Sequence, residues 1–128
     1  MMSQDKLTLS ALPKTWILDL DGTLIMHNGY LGPDGCDELL PGACEFLNGI
    51  GDDDMVIIVT SRTEELREAT ESFLSANGIR YDAIIWGAPY GERILVNDRK
   101  PSGLDTAYAI NCDRDCFHGV DYVVDGSL

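Results

Sequence analysis

Trp16-Ile17-Leu18-Asp19-Leu20-Asp21-Gly22-Thr23 joins an apolar run to two acids and a glycine. Such a run suits a buried parallel strand, because both faces of a parallel sheet are covered and the polar residues gather at its carboxyl end. Met55-Val56-Ile57-Ile58-Val59-Thr60 repeats the pattern and reads as a second buried strand. Ser61, with Glu64 three residues later, has the spacing of a capping box and starts a helix. Leu66, Ala69, Phe73 and Leu74 give that helix an apolar face, and Asn77-Gly78 closes it with residues suited to a left-handed turn. Residues 81–86 read as a third strand and Ile94-Leu95-Val96 as a fourth.

Between the first two strands, residues 27–37 are rich in Gly, Pro and Asn and read as an irregular loop. Pro41 then opens a short helix to about Asn48, with Phe46, Leu47 and Ile50 toward the core. Asp52-Asp53-Asp54 reads as a solvated turn; the spaced ligands and glycine of a calcium loop are missing. Beyond Lys100, the reading is a helix over 104–110, a loop over 111–119 and a short final strand at Tyr122-Val123-Val124. Strands alternating with helices predict an α/β sandwich with a mostly parallel sheet and ligands at the carboxyl ends of the strands. A length of 128 residues fits one domain, 1–128, with no internal repeat.

Hydrophobic residues at 45% against 24% charged exclude a disordered acidic tail, and the apolar runs are too short to span a bilayer. Residues 1–12 scatter polar side chains among apolar ones, unlike a secretion signal, so a cytoplasmic protein is expected. Nine Lys and Arg against 22 Asp and Glu give a net charge of -13, which repels nucleic acid and calls for a metal beside any anionic substrate. Cys36, Cys44, Cys112 and Cys116 form no C-x-x-C pair and read as reduced thiols. Cys112, Cys116 and His118 lack the second ligand pair of a structural zinc site.

Three strand ends carry Asp19 with Asp21, Thr60 with Ser61, and Asn97 with Asp98. Two carboxylates two residues apart at a Gly22 turn suit a division between attack and proton transfer. Mg²⁺ takes oxygen ligands, commonly one or two carboxylates plus substrate phosphate, which fits Asp19 and Asp98. Thr60 would donate to a phosphoryl oxygen, and the backbone N–H groups after Ser61 would cradle an anion at a helix N-terminus. Asp-Gly alone is also a common turn signal and Ser61 alone a helix cap. Neither explains acids at the ends of two apolar runs, since unpaired burial of such groups costs several kcal/mol.

Asp19-Leu20-Asp21-Gly22-Thr23 resembles the first motif, D-x-D-G-T, of the haloacid dehalogenase superfamily. Val59-Thr60-Ser61-Arg62 is similar to the second motif and Val96-Asn97-Asp98 to the fourth, so the likeness covers Trp16 to about Lys100. The resemblance implies a Rossmann-like three-layer sandwich without a large cap domain, and a phosphatase acting through an aspartyl-phosphate. It implies Asp19 as nucleophile, Asp21 as general acid then base, and Thr60 as a phosphate ligand. Gly22, Thr23, Ser61 and Arg62 would line the substrate. Mg²⁺ would be held by Asp19, the backbone carbonyl of Asp21, and Asp98.

Trp86-Gly87-Ala88-Pro89-Tyr90-Gly91 is similar to the G-K-P-Y-G stretch of small members associated with polysaccharide synthesis, with Ala88 in place of the lysine. Lys100 is taken as the substitute cation, with Arg62 and Arg99 as the other candidates. Asn97 stands where those relatives carry a second acid, which weakens the field on the metal. With only residues 27–37 inserted before the second strand, the site would be open, with His27 close behind the first motif. The expected substrate is a small phosphorylated metabolite such as a sugar phosphate. Asn97-Asp98-Arg99 also resembles the D-D-R of polynucleotide or nucleotide 3′-phosphatases, a reading the acidic charge opposes. A binding or regulatory protein that kept the fold after losing the lysine is the third possibility, opposed by the intact first motif.

Overall fold

A computed structural model of the chain describes residues 6–31 and 35–128. The architecture is α/β with parallel strands in two sheets. In chain order the elements are β1 (Leu7–Leu9), β2 (Thr15–Leu18), α1 (Ala43–Asn48), β3 (Met55–Val59), α2 (Arg67–Ala76), β4 (Ala83–Ile85) and β5 (Tyr122–Val124). Single turns of 3-10 helix lie at Gly29–Leu31 and Glu64–Leu66. The packing divides into two units, Pro13–Pro89 with Cys112–Gly119, and Met1–Leu12 with Tyr90–Asn111 and Val120–Leu128.

The first unit holds a three-stranded parallel sheet in the order β2-β3-β4. Parallel neighbours need crossover connections, and the chain supplies them as α1 between β2 and β3 and α2 between β3 and β4. Trp16 pairs with Val56 and Leu18 with Ile58, while Ile58 pairs with Ile84 on the other side. Val56 and Ile58 are buried, whereas Ile17 on the edge strand β2 is 50% exposed. The continuous burial expected of β2 is therefore corrected to an edge strand with one covered face.

Every buried apolar side chain among the described residues belongs to this unit, from Leu18, Leu20, Leu24 and Ile25 to Leu74, Ile79 and Phe117. Burying such a side chain contributes roughly 1.5–3 kcal/mol. Leu47 and Ile50 reach this core as expected, and Phe46 is half-buried, edge-on to Trp16 at 5.6 Å and to Phe117 at 5.2 Å. Asp54 is more than a solvated turn residue. Its carboxylate accepts the Lys14 backbone N–H and the Trp16 indole N–H, both at 2.9 Å, and so fixes the start of β2.

The second unit pairs β1 with β5 in parallel, a partnership not expected from the sequence. Ile94, Leu95 and Val96 form no strand; they are 83%, 50% and 87% exposed, with no backbone hydrogen bond among the described residues. Residues 104–110 form no helix either. No helix of the described residues is long and apolar enough to cross a membrane.

Candidate functional site

Beyond β2 the chain folds back at once. The Leu20 carbonyl accepts the N–H groups of Thr23, Leu24 and Ile25 at 2.9–3.2 Å, and Gly22 N–H donates to the Ile25 carbonyl at 2.7 Å. Leu20, Leu24 and Ile25 are wholly buried, so the apolar residues of the motif anchor the turn, while Asp19 and Asp21 are only half-buried. Gly22 sits at φ +84°, a left-handed conformation that favours glycine. Thr23 donates its hydroxyl to Asp19 Oδ2 at 3.1 Å.

The carboxyl end of β3 lies in the same unit. Thr60 is 1% exposed; its hydroxyl accepts the Arg62 backbone N–H at 3.1 Å and keeps its own proton as a donor. The Thr60 carbonyl accepts the Ala88 N–H at 3.0 Å, and the Arg62 carbonyl accepts the Gly87 N–H at 2.7 Å. The stretch that carries alanine for lysine therefore braces this turn through its backbone. Ser61 does not cap the helix: Thr63 is the N-cap of the 3-10 turn, without a side-chain hydrogen bond, and α2 begins only at Arg67. The capping box and the helix start directly after Ser61 are corrected accordingly.

Arg62 is the centre of the site. Its side chain is 3% exposed, and its five N–H donors meet five acceptors. Nε and Nη2 donate to the two Asp21 oxygens at 2.9 and 2.7 Å. Nη1 and Nη2 donate to the two Asp37 oxygens at 2.9 and 2.7 Å, and Nη1 also donates to the Thr70 hydroxyl at 2.9 Å. Tyr30 lays its ring over the guanidinium, 4.5 Å from ring centre to Cζ. Burial opposes the charge, but the hydrogen bonds that Arg62 donates to Asp37 and Asp21 outweigh it and hold the Arg62 pKa above its ordinary value. Two forked contacts of this kind fix both carboxylates in direction as well as charge. Arg62, expected against substrate, thus has every donor engaged inside the protein.

Asp37, Thr70 and Tyr30 were not singled out by the sequence reading. Thr70 lies on the buried side of α2, whereas Ala69, expected there, is exposed. Residues 112–119 also border the first motif. Asp115 N–H donates to the Gly22 carbonyl at 2.8 Å, and the Asp115 carboxylate accepts the His27 N–H at 2.8 Å. Burial and the charges of Asp19 and Asp113 push the Cys112 thiol pKa up. All four cysteines are free thiols.

Asp98 and Lys100 belong to the second unit. There the Asp98 carbonyl accepts the Thr106 hydroxyl, Asn97 donates to Thr106, and Arg99 pairs with Asp105 at 2.6 Å. Lys100 is exposed, in a turn closed by its N–H to the Leu104 carbonyl.

Among the described residues, no three His, Cys, Asp or Glu side chains gather closely enough to hold a metal by themselves. The donors at the strand exit are the Asp19 carboxylate and backbone carbonyls. Oxygen donors of this kind are those a hard cation would take. Comparison with family models, with curated proteins and with solved structures finds no match for this chain.

Proposed function

We propose that this chain is a Mg²⁺-dependent phosphate monoester hydrolase of the haloacid dehalogenase kind, with a Rossmann-like fold and no large cap. Its substrate would be a small phosphorylated metabolite such as a sugar phosphate. One observation carries the reading: a single strand exit bears two carboxylates two residues apart, one set by Thr23 and the other gripped by a buried arginine.

In this account an Asp19 oxygen attacks phosphorus, the bond to the leaving oxygen breaks, and Asp21 gives that oxygen its proton. Water then attacks the aspartyl-phosphate, Asp21 takes the water's proton, and phosphate leaves with Asp19 restored. Both Asp21 oxygens accept hydrogen bonds from Arg62, an arrangement suited to the second half. Proton donation in the first half needs one arm of that fork to open, while Asp37 and Thr70 keep Arg62 in place. Thr60 would donate its hydroxyl to a phosphoryl oxygen. Asp19 and the Asp21 carbonyl would hold Mg²⁺, which when bound would neutralise phosphoryl charge.

The test is hydrolysis of an aryl phosphate with and without Mg²⁺ by the wild-type chain and Asp19→Asn. Turnover should require the metal and vanish in the variant, because an amide cannot replace the attacking carboxylate. Turnover that survives the substitution unchanged removes Asp19 from the chemistry.

A further inference from the structure

We infer that Arg114, whose stem lies against the Gly22 turn, is the phosphoryl-binding cation of this site and supplies the charge that Ala88 does not. The inference rests on the hydrolase reading above and deepens it. An aspartyl-phosphate route needs positive charge beyond the metal, since negative charge spreads over the phosphoryl oxygens in the transition state. Arg62 is disqualified by its own geometry, with all five donors taken. Arg67 is paired with Glu64 and Glu71, and Arg80 donates to the carbonyls of Gly51 and Asp54.

Arg114 differs on each count. A Cβ built on Gly22 would lie 3.3 Å from Arg114 Cγ and 3.8 Å from His27 Cβ, so the arginine stem crosses the face of the turn that carries Asp21. The absence of a side chain at Gly22 leaves room for that crossing. The segment is tied down just after this point, by Asp115 N–H on the Gly22 carbonyl and by Phe117, 6% exposed, packed edge-on to Phe46. Cys112, two residues earlier, is close enough to Asp19 to feel its charge.

Nine basic residues face 22 acids in this chain, and Arg114 lies between Asp113 and Asp115. Yet it makes no ion pair among the described residues. The Asp115 carboxylate is occupied by the His27 N–H instead. An exposed guanidinium, held at the strand exit by its backbone and left without an acid, is available to an anion. A planar fork of N–H donors matches phosphoryl oxygens.

The experiment uses the full chain with Mg²⁺ and reads two quantities, kcat/KM for an aryl phosphate and the affinity for inorganic phosphate. Arg114→Ala should lower kcat/KM by about 100-fold and weaken phosphate binding by about tenfold, with Arg114→Lys recovering part of both. If the wild type is active and Arg114→Ala stays within threefold of it on both quantities, the assignment is overturned while the hydrolase reading stands. If the wild type hydrolyses no ester but binds phosphate through Arg114, the hydrolase reading falls and the anion site remains.

Discussion

Two stretches of this chain look alike in sequence and differ in structure. Trp16-Ile17-Leu18 before Asp19 and Ile94-Leu95-Val96 before Asn97-Asp98 are both apolar triplets that run into acids. The first is a strand paired with β3, and it leads into the buried residues Leu20, Leu24 and Ile25. The second has no strand partner and exposes all three side chains. An apolar triplet becomes a strand only when a neighbour takes its N–H and C=O groups and a core takes its side chains. In the first unit both conditions are met, and the acids that follow are aimed by packing. In the second, Asn97 and Asp98 are held through Thr106.

The largest difference expected from this contrast is in amide exchange. The β3 amides of Ile57 and Ile58 should open only with global unfolding, whereas those of Leu95 and Val96 exchange freely, a ratio of about 10³ or more in protection. Hydrogen exchange read by NMR or mass spectrometry decides it, and comparable protection at the two stretches breaks the comparison.

A smaller effect distinguishes two arginine pairs. Arg62→Ala leaves Asp21 and Asp37 facing each other without their shared cation, a buried loss of about 3–5 kcal/mol by urea unfolding. Arg99→Ala removes an exposed pair with Asp105 and should leave the urea midpoint unchanged. Equal midpoints in the two variants would mean that the Arg62 network carries no stability.

The smallest effect is at Asp54. Burial raises its pKa, but the Trp16 and Lys14 hydrogen bonds, with the charges of Lys14 and Arg80, outweigh that and hold it below the ordinary carboxylate value. A group lowered in the folded state adds stability above its unfolded pKa, near 3.9, and loses it as pH falls through the folded value. Asp54→Asn should therefore flatten the acid limb of the stability curve slightly, since the group is only half-buried and screened. An unchanged acid limb in thermal melts from pH 5 downward would detach Asp54 from it.

The strands at 55–59 and 83–85 and the helix at 43–48 were legible because each apolar pattern agrees with its own turn signals. The Asp-Gly turn after β2 was legible for the same local reason. The Arg62 corner was not, because its partners stand 41, 25 and 8 residues away and no local rule joins them. Ser61 and Glu64 have capping-box spacing, yet Arg62 follows Ser61 and must reach Asp21. The chain therefore stays non-helical until Glu64. Asp115 meets His27 across 88 residues, so the wall formed by residues 112–119 left no trace that periodicity could detect.

On the proposed route Asp19 carries the phosphoryl group. The direct measurement is acid quenching of the Mg²⁺-loaded chain during turnover of a radiolabelled phosphate ester, followed by peptide mapping. A hydroxylamine-sensitive acyl-phosphate is expected on the peptide containing Asp19, absent from Asp19→Asn. Label on another residue, or wild-type turnover by Asp19→Asn, would contradict it.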